Sequence, residues 1–548
     1  MTCLLKRICN LMLEWKNFEI AKSSYIKEDK ELLDFQQYTV FQALAQRSYL
    51  AGLATGAGKT VTSLATYFYY KEKYPLTKLI IITNKSAIFQ FNSEIDKFFN
   101  YSKERLIIHS DMAANYKKAR TDSISEFLNN AEKEILIMNY PVLKIDIESI
   151  INCVITYRKK SSLHRIFCIY DEATAFKNTS TSTYKSVIKL SMHLDKIIAL
   201  SATITKGKLE EAYGIFRGIG ISITKNKSQF IEKYCITKKI PRFNLTQIIG
   251  YKNISDFKKA ISPYSITLNK SDIADSLPSF TSSITYLECD DFQKSTLQQI
   301  KNGDFLKEDS SALNNNMLIK MLEFGYNRRC LIDPNIVHLD ENKVLEYQSP
   351  KTKEILRLLE DDYSSEKLVI YCQSKKYVDI LEKTISSKCK NTNYSKVLKI
   401  TGDISTLDRE NYKNLFSESS EYNIIILNKA GIESINLQIA NTLIVCNICE
   451  SGGDLIQLLG RISRIGSKHS NLYVNYLLMD KTQDVVEYFV INKQLLLLKS
   501  VLGESEKGII DYDILKKDSS LKNISDEEFS SGSIDKILYS ASLKSNII

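Results

Sequence analysis

The chain has 548 residues, too many for a single hydrophobic core, so its length predicts two or three domains. A composition of 44% hydrophobic and 25% charged residues is typical of a soluble globular protein, and no apolar stretch approaches transmembrane length. The net charge of +10, from 74 basic and 64 acidic side chains, fits phosphate-bearing partners without identifying one.

The N-terminus and the cysteines bear on where the protein works. Residues 1–16 are interrupted by Lys6 and Arg7 and lack a small-residue cleavage site, which argues against a signal peptide. The 11 cysteines are scattered, several inside apolar runs, as expected of small buried side chains in a reducing compartment. We therefore expect a soluble intracellular protein. The Lys-, Asn-, Ile- and Ser-rich composition favours a bacterial cytoplasm or a virus-infected host cell.

Short apolar runs recur along the chain, each followed by polar turn residues and a helix-like stretch. Runs of this length are typical of strands buried on both faces, and hence of parallel sheets covered by helices. They form two groups separated by a polar stretch, which predicts two α/β domains, a linking region and a helical tail. The runs are KLIIIT (78–83), EILIMN (134–139), RIFCIY (165–170), KIIALS (196–201), KLVIYC (367–372), VLKITG (397–402), NIIILN (423–428) and TLIVCN (442–447).

The segment LATGAGKT (53–60) has the pattern of a phosphate-binding loop. Its glycines would let the backbone approach a phosphate closely, with N–H groups pointing inward. The lysine would reach the β- and γ-phosphates, and the threonine hydroxyl would bind Mg²⁺ at a helix N-terminus. The strict pattern begins with glycine where this chain has Leu53, and an ordinary glycine-rich turn is the alternative. The predicted nucleotide-binding residues here are Thr55, Gly56, Ala57, Gly58, Lys59 and Thr60.

Two adjacent carboxylates, Asp171 and Glu172, directly follow the apolar run 165–170. Ligands gather at the carboxyl ends of the strands in open parallel sheets, so Asp171 is expected to face nucleotide-bound Mg²⁺. Glu172 would orient the attacking water and accept its proton, because phosphoryl transfer needs one acid for the metal and another for the water. An acid pair at the N-terminus of a surface helix is the alternative.

With these motifs in place, the chain resembles the superfamily 2 helicases and translocases, particularly the Swi/Snf-type group, over about residues 33–503. The resemblance implies an α/β fold of two tandem RecA-like parallel-sheet domains, with a helical linking region and a C-terminal brace helix. The expected parts are an N-terminal extension (1–30), a first RecA-like ATP-binding domain (31–270), the linking region (271–348), a second RecA-like domain (349–481), and the brace helix with a polar tail (482–548).

The resemblance assigns roles to further residues of the first domain. Gln36 in LLDFQQ matches the adenine-reading glutamine of the family, since an amide can pair with an adenine edge. Thr83 and Lys85 in TNKSAIFQFNSEI match a nucleic-acid motif, and NYPVL stands where another falls, although ordinary strand-to-helix turns are the alternative. Ser201 and Thr203 in LSATITKGKLEEAY match the motif that couples the nucleotide site to the nucleic-acid surface.

The second domain supplies two further motifs, NKAGIESINLQIANTLI and QLLGRISRIGS. The first resembles the segment that touches both nucleotide and nucleic acid, although Ser434 stands where glycine is common. The second matches the arginine motif of the family. Two arginines three apart on a helix share a face, from which both would reach a γ-phosphate across the domain cleft and stabilise its developing charge. The matching residues are Gly431 and Asn436 in the first motif and Gln457, Arg461 and Arg464 in the second, and Gln457 is expected to bind the nucleotide.

These motifs imply a motor that hydrolyses ATP with Mg²⁺ and moves along nucleic acid, with catalysis carried by Lys59, Asp171, Glu172, Arg461 and Arg464. The Swi/Snf-like features favour translocation on duplex or branched DNA, whereas the SAT form of residues 201–203 favours strand separation in DNA or RNA. A nucleic-acid-binding scaffold without hydrolysis is a third hypothesis, against which the intact GKT, DE and GRxxR motifs argue. We expect DNA rather than RNA as the partner, no membrane association and a monomer; the sequence identifies no protein that loads the motor.

Overall fold

A computed structural model of the chain describes residues 18–54, 56–108, 117–202, 204–205, 207–240, 245–268, 278–306, 316–338, 347–363, 366–389, 393–432, 437–463, 467 and 469–502. These residues form two compact units. The first unit lies within Met1–Asp275 and Leu497–Ser505, and the second unit lies within Ser276–Leu496. Among the helices in these ranges, none combines the length and apolar character that crossing a membrane requires.

The first unit is built on a seven-stranded sheet in the order β3-β4-β2-β5-β6-β1-β9, with every neighbouring pair parallel. Its inner strands are rich in isoleucine, leucine and other apolar residues and are buried on both faces, as parallel sheets require. A separate antiparallel pair follows, β7 with β8. The strands are β1 Ser48–Leu53, β2 Thr77–Thr83, β3 Glu104–Ile108, β4 Lys133–Asn139, β5 Arg165–Tyr170, β6 Lys196–Ser201, β7 Cys235–Ile240, β8 Leu245–Tyr251 and β9 Ser265–Leu268.

Helices connect the parallel strands of the first unit, as parallel pairing demands. Two short 3₁₀ turns, Lys85–Ala87 and Ala173–Phe176, follow the ends of β2 and β5. The helices are α1 Asp34–Ala45, α2 Lys59–Lys73, α3 Ile88–Phe98, α4 Lys117–Asn129, α5 Tyr140–Lys159, α6 Ser182–Ser191, α7 Glu210–Gly218, α8 Lys227–Tyr234 and α9 Ile254–Ile261.

The second unit has a six-stranded sheet in the order β10-β15-β14-β11-β13-β12, again entirely parallel. Its strands are β10 Ser279–Leu287, β11 Leu368–Tyr371, β12 Lys396–Ile400, β13 Tyr422–Leu427, β14 Thr442–Val445 and β15 Asn471–Met479. Its helical elements are α10 Asp291–Lys301, α11 Asn316–Cys330, α12 Asn335–His338, α13 Pro350–Arg357, α14 Lys375–Lys388, α15 Thr406–Glu418, α16 Lys429–Ile432 and α17 Gly452–Ile462, with a 3₁₀ turn at Asp304–Leu306 and a π turn at Leu358–Asp362. The last helix, α18 Gln483–Leu502, begins in the second unit, and its residues from Leu497 onward belong to the first unit.

The two parallel sheets confirm the predicted α/β class, and every predicted apolar run lies in or overlaps a strand. One element differs from the expected helical linking region: β10 pairs with β15 at the edge of the second sheet. Its sequence SFTSSITYL alternates between exposed and covered positions, so it lacks the continuous apolar run by which the central strands are recognised. The domain boundaries themselves stay predictions.

A buried ion pair anchors the start of α18 in the second unit. The Lys351 ammonium, which is fully buried, lies 2.5 Å from a carboxylate oxygen of Asp484 and donates to the Cys446 carbonyl oxygen at 2.6 Å. The same Asp484 oxygen accepts from the Met479 N–H at 3.2 Å. These bonds satisfy charges that would be costly if left unpaired in the core, and they join α13, β14 and β15 to the first turn of α18.

Candidate nucleotide-binding site

The predicted phosphate loop and the predicted acid pair lie at the same edge of the first sheet. The loop follows β1 at Leu53, and Asp171 follows β5 at Tyr170. In the sheet, β1 and β5 are separated only by β6. Because all three strands are parallel, their carboxyl ends point to the same edge, where ligands of open α/β sheets bind.

Two glycines of the loop adopt the left-handed backbone that favours glycine. Gly56 has φ 87°, and Gly58, which precedes the first turn of α2, has φ 75°. A Cβ atom on Gly58 would lie 2.5 Å from Nε2 of Gln36, so any larger residue there would also collide with a neighbour. Thr55 lies outside the described residues.

The Lys59 side chain folds back over the start of its own loop. Its ammonium donates to the carbonyl oxygens of Leu53 at 3.1 Å and Ala54 at 3.4 Å. Thr60 is the second residue of α2, so both side chains stand in the first turn of a helix whose N-terminus favours an anion.

Gln36 is bound to the phosphate loop itself. Its Nε2 donates to the Ala57 carbonyl oxygen at 3.0 Å, and its Oε1 accepts from the Leu33 N–H at 3.0 Å. The side chain is buried, and it holds the first turn of α1 against the loop. The recognition of adenine by Gln36 stays a prediction. In the structure, the same side chain forms a hydrogen bond with the phosphate loop.

Asp171 is held by groups from β2 and α5. The Thr83 hydroxyl donates to Oδ2 of Asp171 at 2.6 Å. Ile82 of β2 is paired with Tyr170 of β5, so the residues that follow them, Thr83 and Asp171, are neighbours. The Tyr140 hydroxyl donates to the main-chain oxygen of Asp171 at 2.6 Å. Burial, together with the neighbouring Glu172 carboxylate, raises the pKa of Asp171 to about 6.

Glu172 immediately precedes the 3₁₀ turn and has a left-handed conformation with φ 49°, which is uncommon for a residue other than glycine. Such strain concentrates at functional sites. The sequence singled out both carboxylates but not Tyr140, which occupies the second position of NYPVL. Thr83 was predicted to contact nucleic acid; that contact stays a prediction beside the observed bond to Asp171.

Two further predicted residues of the first unit, Ser201 and Lys85, lie at or just after the carboxyl ends of strands. Ser201 ends β6, is buried, and stands opposite Gly52 at the base of the phosphate loop. Lys85 is exposed at the start of the 3₁₀ turn after β2. Thr203 lies outside the described residues. The predicted coupling motif therefore begins on the strand adjacent to the one that carries the loop.

In the second unit, Gln457 and Arg461 lie four residues apart on α17 and therefore on one face. The Ser451 hydroxyl accepts from the Asp454 N–H at 3.1 Å and caps the start of this helix. The helix ends at Ile462, and Ser463 is extended, with φ −96° and ψ 103°. Arg464 lies outside the described residues, so its predicted position on one face with Arg461 stays a prediction.

Gly431 is a packing residue as well as a motif residue. A Cβ atom there would lie 2.6 Å from the Ile400 carbonyl oxygen and 2.9 Å from Cβ of Leu427. Only glycine allows this close approach between α16 and the neighbouring strands. Its predicted contact with nucleic acid stays a prediction, and Asn436 of the same motif lies outside the described residues.

The residues of the first unit fit a nucleoside triphosphate with Mg²⁺. A loop with two left-handed glycines, a lysine and a threonine in the first helical turn, and a carboxylate at a nearby strand end supply the donors and the ligands for the metal. The fold and this arrangement define the class of P-loop nucleotide-binding proteins built on parallel sheets.

Comparison with known families shows to which family of P-loop proteins the chain belongs. The model of the SNF2-related domain matches residues 43–336, more than half of the chain, and the helicase conserved C-terminal domain matches residues 350–466. The chain belongs to the SNF2-related family. This confirms the resemblance to Swi/Snf-type members of superfamily 2 that the motifs indicated.

Individual relatives are distant. The DNA repair and recombination protein RAD26 of Saccharomyces cerevisiae is 22% identical over 355 residues, which cover 62% of this chain and 32% of that protein. Nucleoside triphosphatase I of Heliothis armigera entomopoxvirus is 23% identical over 532 residues, covering 84% of this chain and 76% of the relative. The solved Sulfolobus solfataricus SWI2/SNF2 ATPase core in complex with dsDNA is 18% identical, with a TM-score of 0.39 and coverage of 91% and 99%. The chain thus spans about a third of the length of RAD26.

Proposed function

We propose that the protein is an ATP-driven motor that translocates on double-stranded DNA. The observation that carries the proposal is the placement of Lys59, Thr60 and Asp171 at one edge of the first sheet, in a chain that matches both the SNF2-related domain and the helicase conserved C-terminal domain. Two relatives named as a nucleoside triphosphatase and as a DNA repair protein support hydrolysis and DNA as the partner.

Each residue of the first unit has a defined task in this proposal. Lys59 would exchange its two carbonyl contacts for the β- and γ-phosphates, a short movement of one flexible side chain. Thr60 and Asp171 would hold Mg²⁺, which neutralises charge on the phosphates when it is bound. Glu172 would orient the attacking water and accept its proton.

The Thr83 hydroxyl has a supporting role in the same scheme. Its bond to Asp171 favours the ionised carboxylate and fixes the orientation of Oδ2. Burial and Glu172 act in the other direction by raising the pKa of Asp171, whereas nearby Lys59 lowers it. A carboxylate balanced in this way is costly to keep charged without a cation, which favours metal binding.

The residues of the second unit would stabilise the transition state. Arg461 and Arg464 carry the positive charge that phosphoryl transfer needs at the γ-phosphate, and Gln457 would lie beside them. DNA would be held by the predicted contact residues, mainly through phosphates, so affinity should fall steeply with salt and depend little on sequence. Those residues are Thr83, Lys85, Ser201, Thr203, Gly431 and Asn436.

A second candidate function is strand separation. The SAT sequence of residues 201–203 is more typical of strand-separating superfamily 2 members than of Swi/Snf proteins. A strand-separating helicase would use the same ATP site as a translocase. The two functions differ only in whether movement of the motor opens the duplex.

Two assays on the full chain separate these functions. ATP hydrolysis is measured with double-stranded DNA, single-stranded DNA and RNA, and displacement of a third strand from a triplex is compared with opening of a fork. We expect stimulation by duplex DNA and triplex displacement, both lost in Lys59→Ala. Stimulation by single strands alone, with fork opening, would favour the helicase; hydrolysis by wild type equal to that of Lys59→Ala would refute the motor.

A further inference from the structure

A cavity lies in the first unit, at the opposite edge of the sheet from the phosphate loop. It has a volume of about 630 Å³ and is lined by residues next to the amino ends of β1 and β6. Arg47 immediately precedes β1 and Asp195 immediately precedes β6. Since the phosphate loop follows the carboxyl end of β1, the length of the strand separates the two sites, and the nucleotide motifs do not explain this cavity.

Positive charge dominates the cavity lining, which includes Arg47, Arg158 and Arg217 but only one carboxylate, Asp195. Asp195 is already bound: it accepts from Arg158 at 2.7 Å and from the Ile166 N–H at 2.8 Å. Within the described ranges, no acidic side chain forms an ion pair with Arg47 or Arg217. Two guanidinium groups thus line one cavity without a carboxylate partner among the residues that the structure describes.

Helix capping accounts for only part of this arrangement. Nη2 of Arg47 donates to the carbonyl oxygen of Ser191, the last residue of α6, at 2.7 Å and to that of Leu194, just beyond the helix, at 2.9 Å. A guanidinium has five N–H donors, and these two bonds use a single nitrogen. Nη1 of Arg47 lies 3.0 Å from where a Cβ on Gly220 would stand, so the glycine keeps the space beside this nitrogen open.

One wall of the cavity is apolar and exposed. Ile188 and Met192 line it from the end of α6, and Met192 is 66% exposed to solvent. Methionine adapts its shape to varied apolar partners. A phosphate ion or a DNA backbone would leave this wall unused, whereas a peptide with an apolar side chain between acidic residues would cover it.

We propose that this arginine cleft, formed by Arg47, Arg158, Arg217, Ile188 and Met192, binds an acidic segment of a partner protein. Carboxylates of the segment pair with Arg47 and Arg217, whose planar forks match a carboxylate in two-point fashion. An apolar side chain between them packs on Met192 and Ile188. The cleft lies wholly in the first unit, and its occupation requires no part of the nucleotide site.

Fluorescence anisotropy of a labelled peptide tests the proposal on the full-length protein. The probe is an eight-residue peptide, Glu-Asp-Leu-Glu-Asp-Phe-Glu-Asp, and its partner probe carries serine at the leucine and phenylalanine positions. We expect saturable binding of the first peptide, about tenfold weaker binding of the second, and about tenfold weaker binding of the first peptide to Arg217→Ala. Arg217 is suited to this test because, among the described residues, its guanidinium forms a hydrogen bond only with the exposed Ser222, so its loss should not unfold α7.

A control variant tests whether binding reflects only the overall positive charge, and competition with inorganic phosphate tests whether the cleft is a phosphate site. Lys185 is an exposed cation on α6, the helix that carries Ile188, but it lies outside the cleft. Lys185→Ala should therefore leave peptide binding and DNA-stimulated ATP hydrolysis unchanged. The proposal fails if wild type shows no saturable binding, or if Lys185→Ala and Arg217→Ala weaken binding equally. Displacement of the peptide by an equal concentration of inorganic phosphate would also overturn it, because the cleft would then be a phosphate site.

Discussion

At the scale of single residues, Asp171 and its neighbours show what can and cannot be inferred from sequence. The adjacent acids after an apolar run predicted a carboxylate at a strand end, and Asp171 is found there. Its partners Thr83 and Tyr140 come from β2 and from the start of α5, far away in the chain. Such contacts depend on strand order and register, which no local pattern encodes.

The proton acceptor is tested by Glu172→Gln. The substitution keeps the shape of the side chain but removes its basicity, so we expect ATP hydrolysis to fall to the background rate while nucleotide binding is retained. Hydrolysis is followed by phosphate release with saturating duplex DNA, and binding by a fluorescent ATP analogue. Glu148→Gln, an exposed acid on α5, serves as the matched control and should hydrolyse ATP normally. Wild-type turnover by Glu172→Gln would show that another group accepts the proton.

A second prediction concerns Asp333, a fully buried acid in the second unit. Its Oδ1 accepts from the Asn335 N–H at 2.9 Å, but burial dominates and raises its pKa to about 7. A carboxyl whose folded-state pKa exceeds its unfolded value binds its proton more tightly when folded. Its contribution to stability therefore falls as pH rises from the unfolded pKa to about 7.

Asp333→Asn should remove this pH dependence. We expect its gain in the free energy of unfolding over wild type to grow by about 2 kcal/mol between about pH 5.5 and pH 8.5, since one pKa unit corresponds to about 1.4 kcal/mol. Thermal denaturation at both pH values measures the effect, with the exposed Asp361→Asn as control. An equal shift in melting temperature at both pH values would show that Asp333 does not titrate in this range.

At the scale of elements, strands were easier to infer than helix ends. The central strands carry uninterrupted apolar runs because both of their faces are covered, and these were predicted. The edge strand β10 is largely polar and was missed. The end of α17 at Ile462 was not predicted, because arginines spaced three apart look helical whether or not the helix continues.

Two glycines in helices allow the same substitution to be tested in opposite surroundings. In α7, a Cβ on Gly214 would lie 2.0 Å from the Lys177 carbonyl oxygen, in the segment that follows the acid pair. In α11, the nearest atom that the described residues bring to a Cβ on Gly325 is a side-chain nitrogen of Arg329 at 4.0 Å. The backbone contact at Gly214 cannot be relieved by rotating a side chain.

We expect Gly214→Ala to destabilise the protein by about 3 kcal/mol or more, because α7 must move away from the Lys177 backbone. Gly325→Ala should instead stabilise it by about 0.5 to 1 kcal/mol, the gain in helix propensity. Both values come from denaturant unfolding of the full chain. Equal effects of the two substitutions would mean that the close approach at Gly214 does not constrain the fold.

At the scale of the whole molecule, the order of motifs carried the inference. No single motif identified the family, but a GKT loop, an acid pair and an arginine motif in succession predicted two RecA-like domains, and the family matches cover both. What sequence could not supply was the connection between them, where a strand of the second sheet stands in a stretch expected to be helical. Polar composition identifies a change of domain, but it does not distinguish an edge strand from a link.

The central claim is that ATP turnover needs charged groups from both units of the chain. Steady-state ATP hydrolysis by Arg464→Ala with saturating duplex DNA tests it most directly, with binding of a fluorescent ATP analogue measured in parallel. The account predicts intact nucleotide binding and turnover reduced by about a thousandfold, the scale of an arginine that stabilises the transition state. A reduction of less than about twofold, far below that scale, would contradict the account by removing Arg464 from the reaction.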